Sequence, residues 1–274
     1  MDNKHFLPLD LKNDDLASLP DDALMAQIRI IAHRLDKQMQ LSSSRKASYT
    51  AKILEPLTAR LRVYELRHSP EGPDYTWALQ IEQLYQDAIQ KGEHFQYPWT
   101  EKPTLSIPQE EFEKLILARR SIRHFNDQPV PKETIKKIVE YGSWAPSTCN
   151  VQAVRFIVVK SPEVREKIFH GGLSGSRGDC VIAVVVDQRF YDDYNVDGPV
   201  HDSAAAIENM LLSAHYYRLG ACYVSDRGVN VEKYRQLLCV KEWEKVTALI
   251  WLGHYEVAPI VPARRDVDEI IEFI

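Results

Sequence analysis

The sequence predicts an α+β protein: a mixed sheet flanked by helices, preceded by an all-helical extension. Three observations carry this. The first hundred residues hold helical periodicity and no strand-like run, the stretch FQYPWTEKPTLSIP breaks the pattern with three prolines, and from Gln109 onward short β-branched runs alternate with helical segments. The expected units are therefore 1–100, a helical extension with its linker, and 101–274, a second domain.

In the extension, Leu24, Ile28, Ile31, Leu35 and Met39 recur at steps of three and four, which puts them on one helical face, with Asp21 or Asp22 as the N-cap. After SSSRK a second helical pattern spans about Tyr49–Leu66. Pro56 either kinks it or restarts it, because proline cannot donate the helical bond. A third runs over about Tyr75–Ile89. Beyond the linker, VRFIVV (154–159), CVIAVVV (180–186) and VTALIWL (246–252) read as buried strands. SAAAIENMLLSAHYYRL (203–219) is expected to be the longest helix, ending on Gly220 as its C-terminal cap.

Composition is that of an ordinary folded protein, with 45% hydrophobic and 27% charged residues. A net charge of −5 argues against a surface devoted to nucleic acid. The nine Lys/Arg against three acids between Arg29 and Arg67 read as a solvated helical face or a site for an acidic partner. Four scattered cysteines without a C-x-x-C pair suit reduced thiols, and the first residues lack the pattern of a secretory signal. No apolar stretch approaches the ~20 residues of a membrane span. A cytoplasmic location, with no membrane and no nucleic-acid partner, is the expectation. No histidine or cysteine set has metal-ligand spacing, so no metal is expected.

Three segments concentrate chemistry. In ARRSIRHF, an extended chain would turn Arg119, Ser121 and Arg123 to one side and Ile122 to the core. Guanidinium forks match phosphate oxygens two at a time and keep their charge, although an arginine-rich turn taken alone is more often a solvated surface with stray ion pairs. APSTCNVQ (145–152) packs Ser147, Thr148, Asn150 and Gln152 beside Pro146, either to read the edge of a polar heterocycle or simply to end a helix. Arg264 and Arg265 follow the prolines of APIVPARR. GGLSGSRG (171–178) has the wrong spacing and position for a dinucleotide fingerprint and reads as a flexible turn. His201, Asp202 and His215 read as helix-start and helix-surface residues, and Cys149 as a small filler.

In order and spacing, RRSIRHF, APSTCNVQ, HDSAAAIENMLLSAHYYRLGACYV and VTALIWLGHYEVAPIVPARRDVDEII resemble the nitroreductase superfamily of FMN enzymes over about 112–272. The resemblance implies a mostly antiparallel sheet and a homodimer with the long helix at its interface. Arg119 and Ser121, with neighbouring Arg120, would bind the FMN phosphate, and Arg264 and Arg265 would add charge from the chain's end. Arg123 would sit by flavin N1 and C2, where a cation stabilises the reduced form. Pro146, Ser147, Thr148, Asn150 and Gln152 would form the loop reaching an FMN held by the other subunit. Tyr223, Val224 and Ser225 would line the opposite face near N5.

The implied activity passes electrons from NADH or NADPH through flavin N5 to a small-molecule acceptor, a nitroaromatic, quinone or activated alkene, with no catalytic side chain. The alternatives are a reductive dehalogenase, a flavin-cleaving enzyme, or a flavin-binding module recruiting a partner. Two departures stand out. Ser225 and Asp226 replace a common glycine or glutamate–glycine, and the 188–200 connection is short for a lid. The N-terminal helices could therefore shape the pocket entrance, enlarge the dimer interface, or recruit a partner.

Overall fold

The computed structural model describes residues 5–11, 13–41, 51–69, 71–91, 97–168, 178–193, 195–225 and 231–274. Helices α1 (Asn13–Ser18), α2 (Asp21–Leu41), α3 (Ala51–Arg67) and α4 (Pro73–Lys91) form the N-terminal layer. The five residues expected on one face of α2 are all buried, against Leu54, Leu57 and Leu61 of α3 and Ala78, Ile81 and Tyr85 of α4. Each large aliphatic side chain so buried contributes roughly 1.5–3 kcal/mol, which is what allows this layer to form without a sheet. α3 runs through Pro56 as one helix. Arg60, also buried, donates to Gln27 Oε1 at 2.9 Å and to the carbonyls of Pro56 and Leu9 at 2.9 and 2.8 Å. Burial among these neutral acceptors pulls its pKa down to about 10, so the cation survives at neutral pH. The SSSRK break lies outside the described residues.

The second unit contains α5 (Gln109–Ala118), α6 (Lys132–Ser143), β1 (Val154–Val159), α7 (Pro162–Ile168), β2 (Cys180–Asp187), α8 (Gly198–Tyr216), β3 (Gly220–Ser225), α9 (Val231–Leu238) and β4 (Glu244–Gly253). The four strands lie in the order β1-β2-β4-β3, every neighbouring pair antiparallel. A parallel bridge from Ser121 to Ala221 makes the sheet mixed. β2 alternates between two cores. Cys180, Ile182 and Val184 meet α6 and α8, while Val181, Ala183 and Val185 meet Ile122, Phe125 and α9. A strand covered on both faces cannot alternate with polar residues, which explains the unbroken run CVIAVVV.

Two helix expectations change. α8 begins at Gly198, five residues early, and α2 at 21 residues is longer than its 19. Nor does Gly220 cap α8. The left-handed residue there is Arg218 (φ 57), and the Leu219 amide returns to the Ala214 carbonyl at 2.8 Å, the bond pattern of a Schellman stop. Gly220 instead opens β3, where a Cβ would lie 2.8 Å from Ile122 Cβ. The glycine is there so that the 119–123 segment can approach β3.

The layer docks on the sheet domain. Ala26 and Ile30 of α2 pack with Val151, Ala153, Val186 and Tyr191. Arg189 bonds both Asp187 and Asp22, its Nη2 reaching Asp22 at 2.8 Å, and the Leu7 amide donates to the Arg189 carbonyl at 2.8 Å.

Arg155 on β1 reaches across β2 to Glu244 with a two-pronged bond of 2.6 and 2.7 Å. Burial opposes ionisation of Glu244, yet the Arg155 fork and the Lys241 amide hold its carboxyl below the ordinary value of 4.5. A carboxylate with a depressed folded-state pKa contributes stability that is complete above its unfolded value and is lost as pH falls through the folded one. Glu244→Gln is therefore expected to cost about 1.5–3 kcal/mol at pH 7. Its melting temperature should also fall less than the parent's between pH 5 and 3. Parallel melting curves of the two proteins would refute this assignment.

Candidate functional site

α5 ends because Arg119 leaves it in an extended conformation (φ −57, ψ 136). The next residues run beside β3, Ser121 bridging Ala221 and the Ile122 amide donating to the Ala221 carbonyl at 3.1 Å. Ile122 is buried as expected. Arg119, Arg120, Ser121, Arg123 and Arg264, with Pro259, Ile260 and Pro262 of the C-terminal tail, line a concavity of about 320 Å³ that has no acidic side chain in its wall. Alternation alone put Arg120 on the other side, yet it joins the same wall. Its Nη1 is tied back to the Leu117 and Arg119 carbonyls at 2.6 and 2.8 Å, finishing α5. Arg119 faces Glu208 of α8 at 3.8 Å, a loose and half-exposed pair. Arg123 Nη1 meets the Ser121 carbonyl at 3.3 Å. Arg264 is in the wall, whereas Arg265 turns to Glu269, donating to its carbonyl at 2.7 Å.

Four guanidinium groups and a hydroxyl around one hollow fit a phosphate. His215 of α8, which sequence reading left on the surface, is partly buried and does not line this hollow. Burial, then Arg119 and Arg120, hold its pKa below 6.5.

On β3, Tyr223 is half exposed, Val224 partly buried and Ser225 exposed. Asp226, and all of GGLSGSRG except Gly178, lie outside the described residues. Cys222 sits beside Ser121, and burial raises its thiol pKa, as it does that of Cys180, pushed up to about 12. A thiol reacts as the thiolate. Iodoacetamide is therefore expected to label exposed Cys239 first and partly exposed Cys149 next, while Cys180 and Cys222 react only after denaturation. Mass mapping of the labelled peptides checks the order.

The loop between α6 and β1 lines a second, separate hollow. Pro146, Ser147 and Gln152 face it together with Gly142, Phe156 and Asp202. Thr148–Asn150 is a tight turn whose backbone is left-handed at Cys149 and Asn150, as it is at Gln152 (φ 49, 53 and 53). For non-glycine residues this costs on the order of 1–3 kcal/mol each, so surrounding contacts must impose it. One contact is Asp202, which is buried. Its carboxylate accepts from the Thr148 amide and hydroxyl at 3.0 Å and from the Tyr191 hydroxyl at 2.7 Å. Burial and this carboxylate push the Tyr191 phenol above its ordinary pKa.

Asp202 is thus an internal anchor for the loop, not a helix-start surface residue. Its partner Thr148 is 54 positions away, and no local signal in the sequence links the two. Asp202→Ala is expected to cost about 2–3 kcal/mol, because Thr148 and Tyr191 lose a buried acceptor. Asp202→Asn, which keeps one oxygen, should lose less. Thermal denaturation checks the ranking.

Among the described residues no group of three or more His, Cys, Asp or Glu could hold a metal ion. Nor is any helix there long and apolar enough to cross a membrane.

Comparison with known proteins agrees with this arrangement. The nitroreductase family model matches residues 116–170 and 176–254, which begins beyond the helical layer. A provisionally named NADH dehydrogenase/NAD(P)H nitroreductase of Archaeoglobus fulgidus is 34% identical over 150 residues, spanning 53% of this chain and 86% of its own. Iodotyrosine deiodinase 1 of Rattus norvegicus is 33% identical over 100 residues, 35% of either chain. Among solved structures, a provisionally named nitroreductase of Desulfovibrio desulfuricans in complex with FMN is 28% identical. It has a TM-score of 0.51 and covers 63% of this chain and 96% of its own. With the antiparallel sheet, residues 119–123 beside β3 and the α6–β1 loop all falling inside the matched span, and a relative 34% identical along 86% of its own length, the chain belongs to the nitroreductase family.

Proposed function

We propose that this chain is an FMN-dependent oxidoreductase that moves electrons from a reduced nicotinamide, NADH or NADPH, to a small oxidised acceptor such as a nitroaromatic, a quinone or an activated alkene. The observation that carries this reading is the acid-free hollow of Arg119, Arg120, Ser121, Arg123 and Arg264, which suits a terminal phosphate dianion. When bound, the flavin supplies the redox chemistry at its N5 position. The chain's part is to bind and orient. Arg119 and Ser121 hold the phosphate, Arg123 places a cation beside the N1 edge, and β3 from Tyr223 to Ser225 forms the wall near N5.

A homodimer completes the site in this reading. The loop 146–152 and the arginine hollow open separately within one chain, so each loop serves the FMN of the other subunit. α5 buries none of its own residues, and Phe112, Ile116 and Leu117 stand exposed along it. Patches of this kind mark an interface.

The deiodinase similarity favours a second reading, reductive removal of halide from a halogenated phenol. To separate the two, the purified protein is denatured, its flavin identified, and the reduced holoprotein offered nitroaromatics, quinones and iodotyrosine. Released FMN, bleaching by NADH or NADPH and turnover of a nitroaromatic or quinone are expected. Turnover of iodotyrosine alone would favour the dehalogenase. A protein that yields FAD, or that stays colourless with added FMN, overturns both.

A further inference from the structure

The loop 147–152 has two faces. Ser147 and Gln152 look into the hollow beside α6, whereas Thr148 and Cys149 line a third hollow, on the side of the helical layer, with Leu9, Ile30 and Phe190. Asp202 fastens the loop from the core side only.

The other side is held by the layer. Arg29 of α2 donates from Nε to the Val151 carbonyl at 3.1 Å, across 122 positions of sequence. The same guanidinium pairs through Nη1 with Asp74 of α4 at 2.8 Å, the two side chains 14% and 33% exposed. The other Asp74 oxygen accepts from Gln152 Nε2 at 3.4 Å. One cation and one carboxylate thus join α2, α4 and the C-terminal end of the left-handed stretch, and Ala26 and Ile30 pack beneath it on Val151 and Ala153.

The local excess of positive charge is also spent internally at several points. Arg60 is buried on neutral acceptors, and Arg67 donates to the Leu19 and Ala17 carbonyls at 2.7 and 2.6 Å. Arg34, Lys37 and Arg62 of the same cluster remain exposed.

We infer that the N-terminal layer positions the flavin-edge loop, with Arg29 and Asp74 as its positioning residues. This rests on the reading of 147–152 as a flavin contact. The layer braces the loop from behind rather than closing over it, so the extension is part of the cofactor site although it contributes no residue to the hollow that Ser147 and Gln152 line.

The test uses the full chain with Arg29→Gln, Arg29→Lys, Asp74→Asn and the Arg29→Gln/Asp74→Asn pair. FMN affinity is read by flavin fluorescence quenching on the apoprotein. Amide exchange of the peptide covering 147–153 is read without FMN, and the visible spectrum of bound flavin is recorded. Arg29→Gln is expected to weaken FMN about 5- to 30-fold and to speed loop exchange about tenfold, with α8 peptides unchanged. Arg29→Lys, which keeps the Asp74 pair but loses the second donor, should recover part of both. The double variant should lose less than the product of the single losses, as members of one network do.

Parental loop exchange in Arg29→Gln overturns the inference, and so does faster exchange with parental FMN affinity. Should Arg29→Gln unfold, Asp74→Asn decides on the same readouts. If the parent protein binds no FMN, the flavin reading fails instead, and the exchange measurement alone judges the brace.

Discussion

Arg119→Ala is expected to weaken FMN binding by about 1.5–3 kcal/mol, the range for a hydrogen bond to a charged group, or roughly ten- to 150-fold. Arg119 leaves α5 pointing into a hollow without acids, and its one ion pair, to Glu208 at 3.8 Å, is too long and too exposed to compete with a phosphate. Arg120 is the internal control. Its guanidinium closes the end of α5 on the Leu117 and Arg119 carbonyls, so Arg120→Ala should cost mainly helix stability and change FMN affinity by less than about tenfold. Fluorescence titration of the two apoproteins measures the contrast. Equal losses at both positions would mean that the four guanidinium groups act as a diffuse charge, and parental affinity in Arg119→Ala would remove the phosphate from this hollow.

A chain ending at Glu256 is expected to be monomeric and to lose its flavin. From Val257 to Ile274 every residue is exposed, and Ile260, Phe273 and Ile274 bury almost nothing within their own chain. Such a segment carries a large apolar surface that a second copy would cover, beside the uncovered α5. It also carries Arg264, one wall of the arginine hollow. Two losses therefore combine, the interface and one phosphate cation. Sedimentation and flavin content on the same sample test this. A truncated chain that stays dimeric with one FMN per subunit would sink the idea that the tail joins the subunits.

Much was legible because the signals were local. The face of α2 follows from steps of three and four, and the three strands read from the sequence lie within about three residues of their observed ends, since a strand buried on both sides has no alternative to an apolar run. The turn out of α5 was legible through Ile122, the one apolar residue between charged and polar neighbours. Gly220 was misread because the sequence shows a glycine after a helix but not the neighbour, Ile122, that makes it necessary. Arg218 takes the left-handed position instead, where the Arg218 and Leu219 amides close on the His215 and Ala214 carbonyls.

By itself, the sequence determined the helical layer, the two-sided sheet and the three polar segments, because periodicity and residue type are written in consecutive residues. Only the tertiary structure decided what holds those segments. Asp202 under Thr148, Arg29 and Asp74 against Val151 and Gln152, and Arg264 beside Arg119 are pairs separated by 54 to more than 140 positions. Hydrogen bonds and charge pairs act over a few ångströms of space without regard to distance along the chain, so these partners exist only once the chain has folded.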